Sequence, residues 1–416
     1  MVETLSPKIS LVKKSIDKLD GWIIDNGWAG YDPYDAKQHP LIAVLQPTFP
    51  KRLMQRALLL VESFFPNILR KLLNIKEEIN PKAMGLFASG YLILYEVTND
   101  EKYFDKAKEA IEWLLQNPSK GYRGLCWGQP FSWQSRIFIP KDTPSSVITA
   151  IVGDAFLHFY KMTGQSSYLT NCKKICAFFL NDLNIDRLRD SKICFSKTPL
   201  DHFHIHNSNL YVANFLLKVG NELQDANYIK TAQDALAYTL SEQNEDGSIC
   251  YWGRNQDDKC RIDHYHSGFE IRSLYEIWKS TNDKKVYNSL KRYYEFYCGR
   301  MFTNEGIPKM TPKALFPINI HSCAEAILCH STLAEDFPEA YNYLNKCVPW
   351  ILQNMQHSDG YFIYMIRKSK GNVNWKVKIP YMRWGQAWML RALSQYFTLL
   401  SDKKTMSPAG KEKVLQ

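Results

Sequence analysis

"GYLILYEVTNDEKYFDKAKEAIEWLL" (residues 90–115) holds the end of an apolar helix, a polar turn, a tyrosine at 103 and a second, amphipathic helix. The same unit returns as "AFLHFYKMTGQSSYLTNCKKICAFFL" (155–180), "LLKVGNELQDANYIKTAQDALAYTL" (216–240), "LYEIWKSTNDKKVYNSLKRYYEFY" (274–297) and "LCHSTLAEDFPEAYNYLNKCVPWIL" (328–352). The tyrosine anchors fall at 103, 168, 228, 287 and 341, which are 65, 60, 59 and 54 residues apart. A paired-helix unit of this kind cannot bury its apolar face alone, so successive copies must pack on one another. Helical patterns over 8–27 and 51–74 precede the series, and "RWGQAWMLRALSQYFTLL" (383–400) closes it, giving six or seven hairpins.

An open solenoid would use shorter units and polar terminal caps. Here the links between hairpins are long and carry strand-like pieces: "DGSICYWG" (246–253), "NEGIPKM" (304–310) and "DGYFIYMIRK" (359–368). The expectation is an all-α fold, a closed α/α toroid with short β pieces in its links. It forms one domain over residues 1–400, followed by a basic, disordered tail over 401–416.

Composition narrows the function classes. The 416 residues are 45% hydrophobic, enough for a large core, and the 11 Trp and 24 Tyr suit both packing and sugar stacking. The net charge of +10 favours acidic ligands, and the tail supplies only +2 of it (four Lys against Asp402 and Glu412). No Lys/Arg run or nucleic-acid motif accompanies that charge, so nucleic acid is not the expected partner. The N-terminus lacks an apolar segment behind a basic start, and no apolar run approaches the ~18 residues of a membrane span. The ten cysteines are scattered without any CxxC, which reads as buried thiols in a reducing, cytoplasmic setting.

Each long link ends in a polar-aromatic cluster just ahead of a hairpin's first helix: "DTPSSV" (142–147), "DHFHIHNSN" (201–209), "DHYHSGFE" (263–270), "NIHSCAEA" (319–326) and "PYMRWGQAWM" (380–389). In a toroid the first helices run parallel around the centre, so these starts meet at one end of the cavity. Helix N-termini carry unpaired N–H groups and the positive end of the dipole, which favours a carboxylate or phosphate ligand. One polar cap is ordinarily structural. Five rich caps at one phase of the repeat point to a site. "HFHIH" (202–206) invites a metal reading, but it leads straight into a helix with no HExxH or paired-carboxylate pattern, so no metal or cofactor is expected.

Together, "GYDPYD" (30–35), "TPSSV", "HNSNL", "DHYHSGF", "NIHSCAEAI" and "YMRWGQAWML" resemble a group of bacterial and archaeal toroid proteins from surface-polysaccharide gene clusters, loosely described as prenyltransferase/squalene-cyclase-like. The resemblance runs from about Gly30 to Leu400. It implies a toroid and a sugar context. Terpene cyclases of that fold protonate an alkene with a DxDD motif, which this chain lacks. More widely, "HNSNLYVANFLL" and "GQAWMLRAL" are similar to motifs of N-acylglucosamine 2-epimerases, alongside unsaturated uronyl hydrolases and the C-terminal domain of glucuronyl carbon-5 epimerases. That similarity implies roles for Asn207, Asn209 and Gln386 on central helices, and "GYDPYD" adds Tyr34. In the related proteins the third cluster reads Asp-x-x-His-x-Gly-Phe, which ranks His266 above His264 as the working imidazole.

Two sugar chemistries compete for these residues. Hydrolysis needs two flanking carboxyl groups, and the mouths offer Asp142, Asp201, Asp263, Glu270 and Glu325. Proton abstraction beside a carboxylate needs His or Tyr bases and a cation, which His206, His264, Tyr265, His266, His321 and Arg383 supply more abundantly. The expectation is therefore an epimerase- or lyase-like enzyme acting on an acidic, uronate-type glycan in surface-polysaccharide metabolism. His266, Tyr265, His206 and His321 are the proton-transfer groups, Asp263 holds the helix mouth, and Arg383 binds the substrate's carboxylate. Trp127 and Trp384 serve as sugar platforms, and Ser145 and Asp142 belong to the first of these mouths. A glycoside hydrolase is the first alternative, and a non-catalytic glycan-binding scaffold the second.

Overall fold

The computed structural model describes residues 7–35, 70–257, 259–368 and 374–405. Five complete hairpins follow one another: α2 (Pro81–Thr98) with α3 (Glu101–Gln116), α4 (Ser146–Thr163) with α5 (Ser166–Asn181), α6 (His206–Leu223) with α7 (Ala226–Ser241), α8 (His264–Thr281) with α9 (Lys284–Arg300), and α10 (Ile320–Leu333) with α11 (Ala340–Met355). The first helix of each hairpin is buried nearly all round, whereas the second buries a single stripe. That difference sorts them into an inner and an outer layer.

Ring closure comes from the two ends of the chain. α12 (Ala387–Thr405) packs on α10 and α2, completing a ring of six inner helices, and α1 (Pro7–Asn26) lies against α12 where an outer helix belongs. The expected α/α toroid is what the chain forms. All six inner helices line an axial chamber of about 270 Å³, contributing Ser89, Asp154, Lys218, Arg272, Leu328 and Arg391 among others.

Local chemistry accounts for the helix limits. Asn80, Asp100, Asp225, Asp263, Asp283 and Asn319 each accept a backbone N–H of the first turn. Asn99, Gly164, Gln224 and Asn282 end the first four inner helices in left-handed conformation. Inner helices also approach closely. A Cβ built on Gly268 of α8 would stand 2.3 Å from Glu325 Cγ of α10, and Glu325 is held by Arg272. Gly268→Ala is therefore expected to destabilise the fold by about 1–3 kcal/mol through overpacking. Denaturant midpoints of the two proteins would check it, and equal midpoints would contradict this packing.

Some expectations need correction. Of the strand-like links, 365–368 forms a true strand, paired with 318–319 and 374–377, whereas 246–253 and 304–310 make only single bridges at Trp252 and Pro308. The last helix runs to Thr405, past the expected domain end at 400, and residues 406–416 lie outside the described ones. The helix expected at 51–74 falls outside them as far as residue 69. Cys250 and Cys260 form a disulfide, so the reading of all ten cysteines as thiols, and the cytoplasmic setting built on it, loses its support there. The other eight are free, and seven of those are buried. Among the described residues no helix is long and apolar enough to cross a membrane.

Candidate active site

The start of α8 organises the site. Asp263 accepts the His266 backbone N–H at 3.0 Å through one carboxylate oxygen and pairs with His266 Nδ1 at 2.6 Å through the other. One residue thus caps the helix and fixes the imidazole, directing Nε2 away from the carboxylate. Tyr251 covers the His266 ring, with centroids 4.4 Å apart. The Cys250–Cys260 disulfide closes the loop that carries Tyr251, and Tyr251 N–H donates to Arg261 C=O just beyond it.

From His266 a row of rings crosses to the next inner helix. The Tyr265 ring lies 4.4 Å from His266 and, stacked, 4.7 Å from His321 at the first turn of α10. His321 also packs against Trp384 (4.4 Å) and Trp388 (5.0 Å). It is 1% exposed, yet neither ring nitrogen has a hydrogen-bond partner in the protein. Burial, with the positive charges of Lys82 and Arg383, holds its pKa well below the ordinary histidine value, so the ring is neutral. Burial and the Asp263 charge push the Tyr265 phenol well above its ordinary range, so it stays protonated.

The last inner helix begins with a single π-turn, Met382–Gln386, in which Tyr381 C=O accepts from both Gly385 and Gln386 N–H. This turn aims Arg383 inward. Its guanidinium makes a bidentate, buried pair with Asp32 (2.5 and 2.8 Å), and Asp32 also takes the Tyr34 N–H. The expected free fork for a substrate carboxylate is thus already occupied by Asp32. Gly30, just ahead, lets the 30–35 loop lie on the π-turn, because a Cβ there would stand 2.8 Å from Met382 Cβ. Tyr34 packs edge-on to Trp384 at 5.5 Å and is 36% exposed, while burial and the nearby carboxylates raise its phenol to about 12. A cavity of about 130 Å³ opens beside the Asp32–Arg383 pair, between Asn80, Phe131 and Met382.

Other expected residues turn elsewhere. His206 and His264 point outward between inner and outer helices, His206 to Thr239 and Tyr238, His264 to Tyr297 at 2.7 Å. Burial brings both to about 3, so they are neutral packing groups tying each hairpin together. Asn209 bonds Phe195 N–H, Ala235 C=O and Thr239, and Gln386 clamps Phe362 through both its N–H and C=O. Both amides therefore hold links to helices. Trp127 is fully buried with its indole N–H on Leu114 C=O, a core residue. Trp384 is 6% exposed and donates to Asn319, so it forms part of a packed aromatic wall in place of an open platform.

The candidate acids are likewise engaged. Glu325 is paired with Arg272, and buried Glu270 takes the Tyr293 hydroxyl with its pKa raised well above the carboxylate range. Asn207 is buried beside Glu270 with its carbonyl oxygen unpartnered. Ser145 caps α4 without a side-chain bond, and Asp142 sits in an exposed turn at φ 61°. His202 and His204 both close on Asp186 at 2.8 Å while His206 faces away, so the HxHxH run does not converge. Among the described residues no group of three or more His, Cys, Asp or Glu could hold a metal ion.

Two cations that the sequence reading passed over face the same mouth. Lys82, in the first turn of α2, lies over Trp388 (5.2 Å) and Phe269 (5.6 Å), and Lys197, whose C=O holds the Ser146 N–H, lies over Trp133 (4.5 Å). Lys82 was visible as a lone charge before the apolar run 83–94, but its helix start lacks the aromatic cluster that drew attention to the others.

No family model matches the chain, and no curated relative matches it in sequence. Solved structures do. A cellobiose 2-epimerase from Bacillus thermoamylovorans aligns over 94% of this chain and 99% of its own, with TM-score 0.63 and 12% identity. A D-mannose isomerase aligns over 96% and 100% (TM-score 0.62, 11% identity). An unsaturated glucuronyl hydrolase specific for heparin aligns over 93% and 96% (TM-score 0.58, 11% identity). The chain shares the α/α-toroid fold of these sugar-acting enzymes over more than nine-tenths of its length.

Proposed function

We propose that the protein is a carbohydrate-active enzyme that acts on an acidic, uronate-type glycan by proton transfer, in the manner of an epimerase or lyase. The observation that carries this reading is His321: a buried, neutral imidazole with two unpartnered nitrogens, separated by one tyrosine ring from the Asp263–His266 pair. Such a row has a base fixed in tautomer, a protonated phenol and a second imidazole. His266 Nε2 would take the proton from the carbon beside the substrate's carboxylate, leaving an enolate. Reprotonation from the opposite face gives the epimer. Alternatively, loss of the neighbouring glycosidic oxygen, protonated by Tyr265, gives an unsaturated sugar and a new chain end. The hydrolase alternative has less support, because Asp32, Asp263, Glu270 and Glu325 are each engaged by another side chain. The similar structures named for sugar substrates, an epimerase and a hydrolase among them, support the coarser class of carbohydrate-active enzymes. A panel of uronate-bearing and neutral oligosaccharides, followed by NMR, tests it. Inverted or unsaturated uronate residues are expected; hydrolysis with unaltered sugar rings would contradict the reading.

A further inference from the structure

Lys82 and Lys197 are ammonium groups at a buried mouth, and among the described residues neither has a hydrogen bond to its Nζ or a carboxylate within ion-pair distance. Lys82 is 7% exposed, the only buried lysine among the described residues. An uncompensated buried cation is costly, so a fold that keeps one near a second and a third gains nothing in stability from it. Arg383 does not share the problem, since Asp32 neutralises it at bonding distance. Among the described residues, aromatic faces lie against both ammonium groups, Trp388 and Phe269 for Lys82 and Trp133 for Lys197. Such faces steady a cation without supplying a counter-charge. Trp388 also contacts the His321 ring, which puts Lys82 beside the row of proton-transfer groups.

We infer that Lys82 and Lys197 form the anion subsite of this mouth and bind the carboxylate of a hexuronate residue, the role expected of Arg383 from the sequence. The inference rests on the uronate reading of the function and names the residues that make it selective. Two ammonium groups at one carboxylate would also stabilise the extra charge that reaches it when the neighbouring proton leaves. The electrostatics agree. Burial and the Arg383 and Lys197 charges hold Lys82 well below the ordinary lysine value, against the weaker opposing pull of Asp32 and Glu325. Burial and Arg383, opposed by Asp201, bring Lys197 down to about 8. A bound carboxylate opposes both shifts, so affinity falls as pH rises, with the Lys197 contribution lost through about pH 8.

The test is isothermal titration of the intact protein with sodium glucuronate, glucose and glucose 1-phosphate, in wild type, Lys82→Met and Lys197→Met. Methionine keeps the apolar stem and removes the charge. Saturable binding of glucuronate but not glucose is expected, weakened roughly 10- to 100-fold by each substitution, the range for a hydrogen bond to a charged group. Removing an uncompensated cation should also raise the melting temperature, which a merely structural lysine would not do. No glucuronate binding, equal binding of glucose, or unchanged affinity in both variants would overturn the subsite. Tighter binding of glucose 1-phosphate would overturn its assignment to a carboxylate. Lysine-dependent glucuronate binding without any change in uronate rings during turnover assays would defeat the proton-transfer reading alone. Turnover of neutral sugars untouched by the lysine substitutions would defeat the subsite alone.

Discussion

His266→Gln is expected to lower turnover by roughly 10²–10⁴, the usual contribution of a general base, while ligand affinity stays within a few-fold of wild type. Glutamine can keep the bond to Asp263 and much of the ring's volume, so the start of α8 should remain capped through the Asp263 side chain and the residue-266 N–H. It cannot accept and return a proton. The expected pattern is a fall in kcat with KM little changed, because an interaction needed only in the transition state has been lost. The experiment is steady-state kinetics on whichever uronate glycan the panel identifies. Full turnover in this variant would reduce the Asp263–His266 pair to a helix cap.

Asp32→Ala is expected to be the most destabilising single change at the mouth. The guanidinium of Arg383 would lose both arms of its buried pair in a region that already holds Lys82 and Lys197. Removing one partner of a buried ion pair costs about 3–5 kcal/mol, since the other charge is left without compensation. The 30–35 loop would also lose the carboxylate that accepts Tyr34 N–H. Urea unfolding of wild type and variant measures the loss. A variant as stable as wild type would mean that Arg383 is well solvated, and the account of the mouth as a desolvated cationic site would fail with it. Arg383→Lys should likewise act first on stability, because a single ammonium cannot reproduce the two-armed contact with Asp32.

Much of the architecture was legible because hairpin repetition is a linear signal. The Tyr anchors at 103, 168, 228, 287 and 341 mark the second helices, and the periodic apolar pattern marks both layers. Closure needed α12 to pack on α2, with α1 behind it, and no local pattern states those contacts. At the site, helix starts were found by their caps, and Asp263, Tyr265, His266 and His321 do come together. The direction of a side chain was less readable. His264 and His266 are two positions apart on one helix start, so they point to different faces, one to Tyr297 in the outer layer and one inward. His206 fell outward for the same reason. Ion pairing across 351 residues of sequence, Arg383 with Asp32, was invisible to a motif reading, and so the free cations were misassigned. The disulfide had no CxxC to announce it, since its partners are ten residues apart across a loop.

In the proposed reaction the row His266–Tyr265–His321 moves a proton at the carbon beside a sugar carboxylate. Incubation of wild type and His266→Gln with a uronate oligosaccharide in deuterated water, followed by proton NMR, measures that event directly. Deuterium should enter that carbon in the wild-type reaction, or the proton be lost to form the unsaturated sugar, with the rate falling by the same factor as turnover in His266→Gln. Turnover of the oligosaccharide with that carbon–hydrogen bond intact would contradict the account.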